Sequence, residues 1–380
     1  MKRITAFLLT AILCFGLINV SADGVGSDFT CKSAVLMEAS TGKVLYAKKK
    51  DTQRSIASIT KLMPLLITME KVEKGELSLT DTVTGTKEAR EVGGSTMFLD
   101  TGEKMSLDDI IKGICVNSAN DGAVALAQHI AKTQDNFVKM MNDRAVQLGL
   151  KNTHYVNVMG FDANGHYSSA YDVALLSREI LMKHSKILEY SKIKEDYLRG
   201  GKTQLLNTNK LLTTYKYTTG LKTGTETDAK YCVSATAEKD GMQLIAVILG
   251  ADSSAARFKE AKELLEYGYN EYSLKRVAKK GESFGSASVT KGAEEKVNAV
   301  ANKELKVVIK NTEANGIKKE AEIFDSITAP VKKGTKVGKL KIKSGKDILL
   351  EYDLTAEKDV GKISFFGAVA KVIRSIFKFR

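Results

Sequence analysis

The stretch Ser58-Ile59-Thr60-Lys61, followed directly by the apolar run Leu62-Met63-Pro64-Leu65-Leu66-Ile67, sets the main expectation for the fold and chemistry of this 380-residue chain. A helical pattern runs from about residue 55 to residue 74, which predicts that Ser58 and Lys61 share one helix face. A serine hydroxyl is a weak nucleophile at neutral pH and needs a neighbouring base. The start of an apolar helix meets this need, because the lysine can be buried there and the helix N-terminus favours negative charge on the serine oxygen.

The Ser-x-x-Lys pattern by itself is weak, because any single match can arise by chance. Of the matches in this chain, only the one at Ser58 opens an apolar helix. Three others fall on a hairpin turn, in a later β-rich region and on the polar face of the tail. The five matching pairs are Ser40/Lys43, Ser58/Lys61, Ser191/Lys194, Ser288/Lys291 and Ser375/Lys378.

Two further motifs follow in order and make the pattern specific. Ser118-Ala119-Asn120 interrupts an apolar helical region, where a hydroxyl and an amide can point into a cleft. Lys222-Thr223-Gly224 leads into a predicted strand, whereas a second such match at Lys343-Ser344-Gly345 is predicted to be a turn. Each motif alone is weak, but the three in this order are the pattern of penicillin-binding proteins and serine β-lactamases.

The order of predicted elements indicates an α+β fold. Strands are predicted at 33–39, 43–47, 231–237 and 242–249, and helices at 107–130 with an interruption at 116–120, at 135–148, at 169–181 and at 255–267. Strands at both ends of a mainly helical region favour one antiparallel sheet with helices on both sides. After residue 272, short alternating strands separated by Lys and Gly indicate a small all-β domain.

The N-terminus reads as a secretory signal peptide. A charged start, Met1-Lys2-Arg3, precedes an apolar run over 4–20 and a small residue at Ala22. This pattern predicts cleavage after Ala22, with an uncleaved membrane anchor as the alternative. The domains predicted are therefore a signal peptide at 1–22, a catalytic domain at 23–272, a small β-rich domain at 273–358 and a C-terminal helix at 359–380.

The predicted C-terminal helix is amphipathic. Advancing 100° per residue places the cations Lys371, Arg374 and Lys378 opposite a wide apolar arc. These cations interrupt the apolar residues too often for a membrane-spanning helix, so a helix lying in the membrane interface is predicted. A helix docked on the protein's own core is the alternative. The apolar arc consists of Ile363, Phe365, Phe366, Val369, Val372, Ile373, Ile376 and Phe377.

Composition narrows the possible partners. The formal net charge is +13, or +11 once Lys2 and Arg3 are removed with the signal peptide. Without zinc-finger spacing or an RNA-binding aromatic signature, this charge does not indicate nucleic-acid binding. The remaining cysteines, Cys31, Cys115 and Cys232, are too few and too scattered for a disulfide framework and are predicted to be buried thiols. The four histidines show no metal-ligand spacing, so neither a metal nor another cofactor is predicted.

With these motifs in place, the chain resembles the low-molecular-mass penicillin-binding proteins that act as D-alanyl-D-alanine carboxypeptidases. The resemblance extends from about residue 33 to the C-terminus. It implies a β-lactamase/transpeptidase-like domain, a small β-domain and a membrane-binding helix. Supporting segments are Met97-Phe98-Leu99, Asn117-Ser118-Ala119-Asn120-Asp121, Gly220-Leu221-Lys222-Thr223-Gly224 and Ala329-Pro330-Val331 with Gly334.

The resemblance also implies partners and a location. The substrate would be a peptidoglycan stem peptide that ends in D-Ala-D-Ala, and β-lactam antibiotics would mimic it. The protein would be exported and peripherally anchored at the outer face of the cytoplasmic membrane.

The resemblance implies a catalytic role for several residues. Ser58 would be the nucleophile that forms an acyl-enzyme, and Lys61 would be its base. To act as a base, Lys61 must be partly neutral, which burial and the nearby positive charge of Lys222 would promote. Ser118 would relay a proton to the departing D-alanine. The backbone N–H groups of Ser58 and Thr225 would form the oxyanion hole.

Other residues would bind the substrate. Asn120 would hold the substrate amide, and Lys222 with Thr223 would bind the terminal carboxylate. Gly224 would let the substrate backbone lie close against the strand.

Two positions depart from the family pattern. Pro64 lies six residues after Ser58, where a helix-interior proline would cost about 3 kcal/mol or more. Either the helix kinks there or the wall around Lys61 is unusual. Met159 stands before Gly160, where many relatives carry a polar residue, and the sequence indicates no role for it beyond packing.

Three alternative functions remain open. A β-lactamase of one class would need a Glu-x-x-Leu-Asn loop, and the best match here, Glu195-Asp196-Tyr197-Leu198-Arg199, ends in arginine. An endopeptidase that cuts peptidoglycan cross-links would share the same site chemistry. A catalytically silent wall-binding protein would be expected to lack Ser58, Lys61 or Lys222, all of which are present.

Overall fold

The computed structural model describes residues 24–370. The predicted signal peptide and the last ten residues of the predicted tail helix lie outside this range. The helices are α1 (Leu62–Glu73), α2 (Lys87–Glu91), α3 (Leu107–Val116), α4 (Asn120–Ala131), α5 (Gln134–Gln147), α6 (Ala170–Lys183), α7 (Ile187–Ser191), α8 (Leu211–Thr214) and α9 (Ser254–Glu271), with 3-10 turns at Ala57–Lys61, Arg199–Gly201 and Asn311–Gly316.

The predicted strands at 33–39, 43–47, 231–237 and 242–249 are present, but the strand that contains Lys222-Thr223-Gly224 was not predicted, because the motif was expected only to lead into the 231–237 strand. The strands are β1 (Ser33–Glu38), β2 (Val44–Lys48), β3 (Thr82–Thr84), β4 (Lys104–Ser106), β5 (Glu195–Leu198), β6 (Thr203–Leu206), β7 (Thr218–Glu226), β8 (Lys230–Lys239), β9 (Met242–Ala251), β10 (Tyr272–Ala278), β11 (Ser283–Thr290), β12 (Lys296–Val300), β13 (Leu305–Lys310), β14 (Ile317–Ile323), β15 (Ser326–Thr328), β16 (Lys336–Ser344) and β17 (Asp347–Ala356).

A five-stranded sheet in the order β2-β1-β9-β8-β7 lies between two layers of helices. All of its pairings are antiparallel. In β1, Val35 and Met37 pack into the core on the side of α1 and α3–α6, whereas Ala34 and Leu36 pack against α9. Both faces are therefore covered, which explains the nearly continuous apolar run of β9. The predicted α+β class with helices on both sides of the sheet is confirmed.

Local capping explains where several helices begin. Ser106, Ser169 and Ser253 precede α3, α6 and α9, and each hydroxyl accepts a hydrogen bond from a backbone N–H in the first turn. Such caps satisfy N–H groups that have no partner inside the helix. The starts predicted near residues 107, 169 and 255 are thereby confirmed to within one residue.

The predicted interruption of the 107–130 helix is real. α3 ends at Val116 and α4 begins at Asn120. Between them, Ser118 adopts a left-handed backbone conformation with φ of 62°, which an α-helix does not allow. The break turns the Ser118 side chain away from the helix axis and toward the sheet.

The prediction that Pro64 lies in a helix interior was wrong. The backbone forms a 3-10 turn over Ala57–Lys61, and the α-helix begins only at Leu62. Pro64 is thus the third residue of α1, where backbone N–H groups lack helical partners and a proline is tolerated. Its carbonyl accepts a hydrogen bond from Thr68 Oγ1 at 2.8 Å.

Residues beyond α9 form a separate set of sheets. A six-stranded sheet has the order β14-β16-β17-β12-β11-β15, and β10 pairs with β13. Val289, Val337 and Leu340 are among the residues that form its own apolar core. Gly345 lies in the tight turn between β16 and β17, as predicted for the second Lys-Ser-Gly match. The domain boundaries proposed from the sequence remain predictions.

The described chain ends in a helical turn over residues 365–370. Phe365 and Phe366 are 77% and 82% exposed there. None of the helices within residues 24–370 is long and apolar enough to cross a membrane. As predicted, Cys31, Cys115 and Cys232 are buried free thiols.

Candidate active site

The candidate nucleophile lies on a tight turn pressed against the edge strand β7. Ser58 is half-buried in the 3-10 turn Ala57–Lys61. Ala57, directly before it, has φ of 49°, a strained conformation for a residue with a side chain. A Cβ built on Gly224 would lie 2.7 Å from the Ile56 carbonyl oxygen and 3.0 Å from the Ser58 nitrogen. The turn can approach β7 this closely because residue 224 has no side chain.

Lys61 is placed to take the proton of Ser58. Its Nζ lies 2.7 Å from Ser58 Oγ. The lysine side chain has no solvent exposure. Burial, followed by the charge of Lys222, holds the pKa of Lys61 well below its usual range. The lowered pKa favours the neutral amine, which is the form that can act as a base.

A loop carbonyl fixes the position of Lys61, which sequence reasoning missed. Lys61 Nζ donates to the Met159 carbonyl at 2.8 Å. Asn157 Oδ1 accepts hydrogen bonds from the N–H groups of Met159, Gly160 and Phe161, at 2.7–3.2 Å. The sequence indicated no role for Met159 beyond packing, and the structure adds one through its backbone carbonyl. The donation leaves the nitrogen lone pair of a neutral Lys61 free to face Ser58.

Ser118 and Lys222 form a second pair in the same cleft. Lys222 Nζ lies 2.9 Å from Ser118 Oγ and 3.0 Å from the Thr223 carbonyl. Both side chains are buried, and burial lowers the pKa of Lys222 to about 7. The Lys222 ammonium therefore loses its proton more readily than an exposed lysine would. A negatively charged ligand beside it would favour the charged form.

Asn120 carries an unused acceptor. Its Nδ2 donates to the Gly93 carbonyl at 3.0 Å. Its Oδ1 is buried and has no hydrogen-bond partner among residues 24–370. A buried polar atom without a partner costs free energy, so a ligand group that donates to it would be favoured. The neighbouring Asp121 carboxylate accepts from the N–H groups of Met97 and Leu99 and so fixes the loop beside Asn120.

The remaining predicted binding residues lie on β7. Thr223 is buried, and its Oγ1 lies 2.6 Å from Thr208 Oγ1. Thr225 is exposed, and its Oγ1 accepts from Arg257 at 3.0 Å. Arg257 also donates to the Gly224 carbonyl at 2.9 Å, which fixes this part of the strand from the opposite face of the sheet. The predicted oxyanion hole, formed by the N–H groups of Ser58 and Thr225, stays a prediction.

The structure shows why residue 224 is a glycine. The sequence predicts that the missing side chain leaves room for a substrate backbone. A side chain at residue 224 would also collide with Ile56, Ala57 and Ser58 of the nucleophile turn, and the predicted contact of Gly224 with the substrate stays a prediction. The glycine is needed for the protein's own packing.

Each predicted catalytic side chain thus reaches one cleft, in two pairs: Ser58 with Lys61 and Ser118 with Lys222. Asn157, Thr208 and Arg257 were missed. Their contacts are with backbone atoms or with residues distant in sequence, so no local motif marks them. Asp121 belongs to a segment noted in the sequence, but its role as an acceptor for the 97–99 loop was not predicted.

Comparison with known proteins agrees with this geometry. The family model described as D-alanyl-D-alanine carboxypeptidase, peptidase family S11, matches residues 19–253. The model described as the penicillin-binding protein 5 C-terminal domain matches residues 272–362. D-alanyl-D-alanine carboxypeptidase DacF of Bacillus subtilis is 37% identical over 353 residues, covering 92% of this chain and 90% of that protein.

Other relatives give the same result. DacD of Escherichia coli, also a D-alanyl-D-alanine carboxypeptidase, is 34% identical and covers 89% of each chain. Penicillin-binding protein 5 from Haemophilus influenzae superposes with a TM-score of 0.82 at 29% identity, covering 88% of this chain and 98% of that one. The chain therefore belongs to the D-alanyl-D-alanine carboxypeptidase family, the S11 family of serine peptidases.

Proposed function

We propose that this protein hydrolyses the terminal D-Ala-D-Ala bond of peptidoglycan stem pentapeptides and releases D-alanine through an acyl-enzyme on Ser58. The observation that carries the proposal is the 2.7 Å contact between Ser58 Oγ and the Nζ of Lys61, a lysine with no solvent exposure. A serine beside a buried, neutral lysine has the base that an attacking hydroxyl requires. Family membership supports the same reaction.

Acylation begins when Lys61 takes the proton of Ser58 Oγ. The oxygen then bonds to the carbonyl carbon of the penultimate D-alanine, and the carbonyl oxygen becomes an oxyanion beside the N–H groups of Ser58 and Thr225. When the oxyanion collapses, the C–N bond breaks and Ser118 donates a proton to the leaving amine. The proton held by Lys61 restores Ser118. Water then attacks the ester and Lys61 takes a proton from it. When the ester C–O bond breaks, Lys61 passes this proton to Ser58 Oγ, which regenerates the neutral lysine and the serine and releases the shortened peptide.

Recognition of the substrate depends on charge at Lys222. A terminal carboxylate beside Lys222 and Thr223 would stabilise the ammonium form of the lysine. Asn120 Oδ1, which lacks a partner, would accept from a substrate amide N–H. A β-lactam with a carboxylate near its reactive carbonyl would occupy the same groups and acylate Ser58.

The proposal places the enzyme on the outer side of the cytoplasmic membrane, held peripherally by residues 359–380. The exposure of Phe365 and Phe366 supports this assignment, because two adjacent aromatic side chains in water carry a hydrophobic cost that lipid would remove. Replacing both by serine is expected to shift the protein from anionic vesicles to the supernatant after sedimentation. Unchanged sedimentation would refute a role for this turn in anchoring.

The test is D-alanine release from a pentapeptide ending in D-Ala-D-Ala, using protein that starts at residue 23. Ser58→Ala is expected to abolish both release and covalent penicillin labelling. Ser288→Ala is the matched control, because Ser288 belongs to another Ser-x-x-Lys match but lies on the exposed side of β11. Ser288→Ala should retain full activity.

The outcomes separate the alternatives. Labelling by penicillin without D-alanine release would favour cross-link cleavage, to be tested on cross-linked wall. Rapid hydrolysis of penicillin would favour a β-lactamase. Neither labelling nor release would favour a silent wall-binding protein.

A further inference from the structure

The cleft continues beyond Ser58 to a carboxylate that the reaction above does not use. Side chains along a strand alternate between faces, so Lys222, Gly224 and Glu226 of β7 point to the same side of the sheet. Lys222 reaches Ser118 on that side, and Gly224 lies against the Ser58 turn. Glu226 therefore lies on the cleft side of β7, past Ser58 and at the end opposite Lys222.

A second carboxylate lies next to Glu226. Asp162 accepts hydrogen bonds from Ser55 Oγ and, at 2.8 Å, from the N–H of Asp228. The pKa of Glu226 is raised from its ordinary value, first by burial and then by the negative charge of Asp162. These two carboxylates therefore repel each other at one end of the cleft.

Among residues 24–370, Lys61 is the only cation whose charge lowers the pKa of Glu226, and its single charge cannot balance two carboxylates. Within the described part of the chain, neither Glu226 nor Asp162 forms an ion pair. Lys230 is the cross-strand partner of Glu226, but its amine lies 2.9 Å from Asp252. Lys61 forms no ion pair with either carboxylate, and burial holds its pKa well below the usual range, which disfavours its charged form. The end of the cleft thus has unbalanced negative charge, which favours a cationic ligand.

A substrate bound in the proposed direction would extend toward the Glu226 end of the cleft. In the proposed function the terminal carboxylate lies at Lys222 and the scissile carbonyl at Ser58. The peptide on the far side of that carbonyl must then continue along β7 toward Glu226. With about 3.3 Å per residue of strand, Glu226 lies about 13 Å from Lys222 along β7. D-Ala-D-Ala and the residue before it span about 10 Å when extended, and a long side chain on that preceding residue covers the remaining distance.

An independent feature lies along the same path. The side chain of Asn120 is buried, and its Oδ1 has no partner among residues 24–370. A Cβ on Gly94 would touch both Asn120 Nδ2, at 2.6 Å, and the ring of Phe161, at 3.7 Å. Asn120 therefore lies beside the loop that carries Asp162. An amide N–H of the peptide that bonds to Asn120 would hold the preceding residue next to this loop.

We propose that Glu226 and Asp162 form a subsite for a primary ammonium group on the side chain of the substrate residue that precedes D-Ala-D-Ala. The inference rests on the proposed function, because that function sets the direction of the peptide. A side chain with a four-carbon stem and a terminal amine has the reach and the charge for this subsite. Stem peptides whose side-chain amine is free would be preferred over those whose amine is already acylated in a cross-link.

The test compares two peptides that differ only in this charge. One has an L-lysine before D-Ala-D-Ala with a free side-chain amine, and the other has the same lysine acetylated on that amine. The wild-type protein is expected to show a kcat/KM about twofold to fivefold higher for the free amine, the upper part of the range for a partly exposed charge pair. Added salt at 0.5 M should reduce the ratio.

Variants identify the residues responsible. Glu226→Gln should reduce the ratio by half or more, and Glu226→Lys should bring it below one. Glu238→Gln is the matched control, because Glu238 is an exposed carboxylate at the far end of β8 and should leave the ratio unchanged. Covalent penicillin labelling verifies that each variant is folded with an intact nucleophile.

Each outcome is decisive. Equal kcat/KM for the two peptides in the wild-type protein would overturn the subsite and leave the carboxypeptidase function standing. A preference that persists in both Glu226 variants would also overturn it, because the selectivity would then arise elsewhere. Release of D-alanine from neither peptide would overturn the proposed function and the subsite with it.

Discussion

Replacing Gly224 by alanine tests whether the close approach of β7 to the nucleophile turn is what holds Ser58 in place. The added methyl group would lie 2.7 Å from the Ile56 carbonyl oxygen, 3.0 Å from Ala57 Cβ and 3.0 Å from the Ser58 nitrogen. Two of these three atoms belong to the backbone, so no side-chain rotation relieves the contact. The strand and the turn must separate by roughly 0.5–1 Å to restore ordinary van der Waals distances.

This separation should lower both stability and activity. Overpacking of a buried contact costs about 1–3 kcal/mol of the free energy of unfolding. A displacement of about 1 Å at the reacting atoms lowers kcat/KM by roughly 100-fold. Lys222 is two residues away on the same strand, so its contact with Ser118 is expected to shift as well. Denaturant unfolding, penicillin acylation and D-alanine release measure these effects separately.

A matched control is Gly361→Ala, because a Cβ at Gly361 has no atom within 4 Å. This variant should match the wild-type protein in all three measurements. If Gly224 served only to make room for the substrate, Gly224→Ala would slow acylation without lowering the free energy of unfolding. That result, or acylation at the wild-type rate, would refute the packing argument.

Three further predictions concern groups around the two lysines. Lys61→Met should abolish penicillin labelling. It should also raise the free energy of unfolding by roughly 1–4 kcal/mol, because it removes a buried amine that must be desolvated. A variant that is less stable in denaturant unfolding would contradict this prediction. The kcat/KM for D-alanine release should fall about tenfold per pH unit above about pH 7, because Lys222, with its pKa of about 7, loses the positive charge that binds the substrate carboxylate. The kcat should fall only at higher pH. A kcat/KM that still rises at pH 9 would refute this prediction. Asn157→Ala should slow acylation about tenfold or more by releasing the loop carbonyl that holds Lys61, and stopped-flow labelling at the wild-type rate would exclude that role.

The parts of the site that could be predicted from sequence are those in which side-chain chemistry itself is the signal. Ser58, Lys61 and Lys222 are named by motif order, and the structure places all three in one cleft. Ser118 could be found because it interrupts an apolar helix, and the structure has a helix break at that residue. In each case the residue type, its spacing and its predicted element point to the same arrangement.

Other parts were out of reach for a physical reason. Every residue has a backbone carbonyl, so nothing in the identity of Met159 reveals that its carbonyl holds Lys61. The need for glycine at position 224 depends on a turn about 165 residues earlier in the chain, and only the folded structure brings the two together. The start of α1 was misplaced because a 3-10 turn has nearly the same periodicity as an α-helix over five residues.

Part of the backbone strain in this fold lies beside the chemistry, because three of the nine non-glycine residues with positive φ in the described part of the chain flank the site. Three residues with side chains around the cleft, Ala57, Phe98 and Ser118, have φ values of 49°, 60° and 62°. Each such conformation costs roughly 1–2 kcal/mol. Two lysines are buried nearby as well, although a buried amine destabilises a protein. Strained residues persist only where their surroundings fix the conformation. Here the N–H groups of the 97–99 loop donate to the Asp121 carboxylate, and Gly224 packs against the Ser58 turn. It follows that loosening either contact should harm catalysis more than stability, since the strain released would partly offset the packing that is lost.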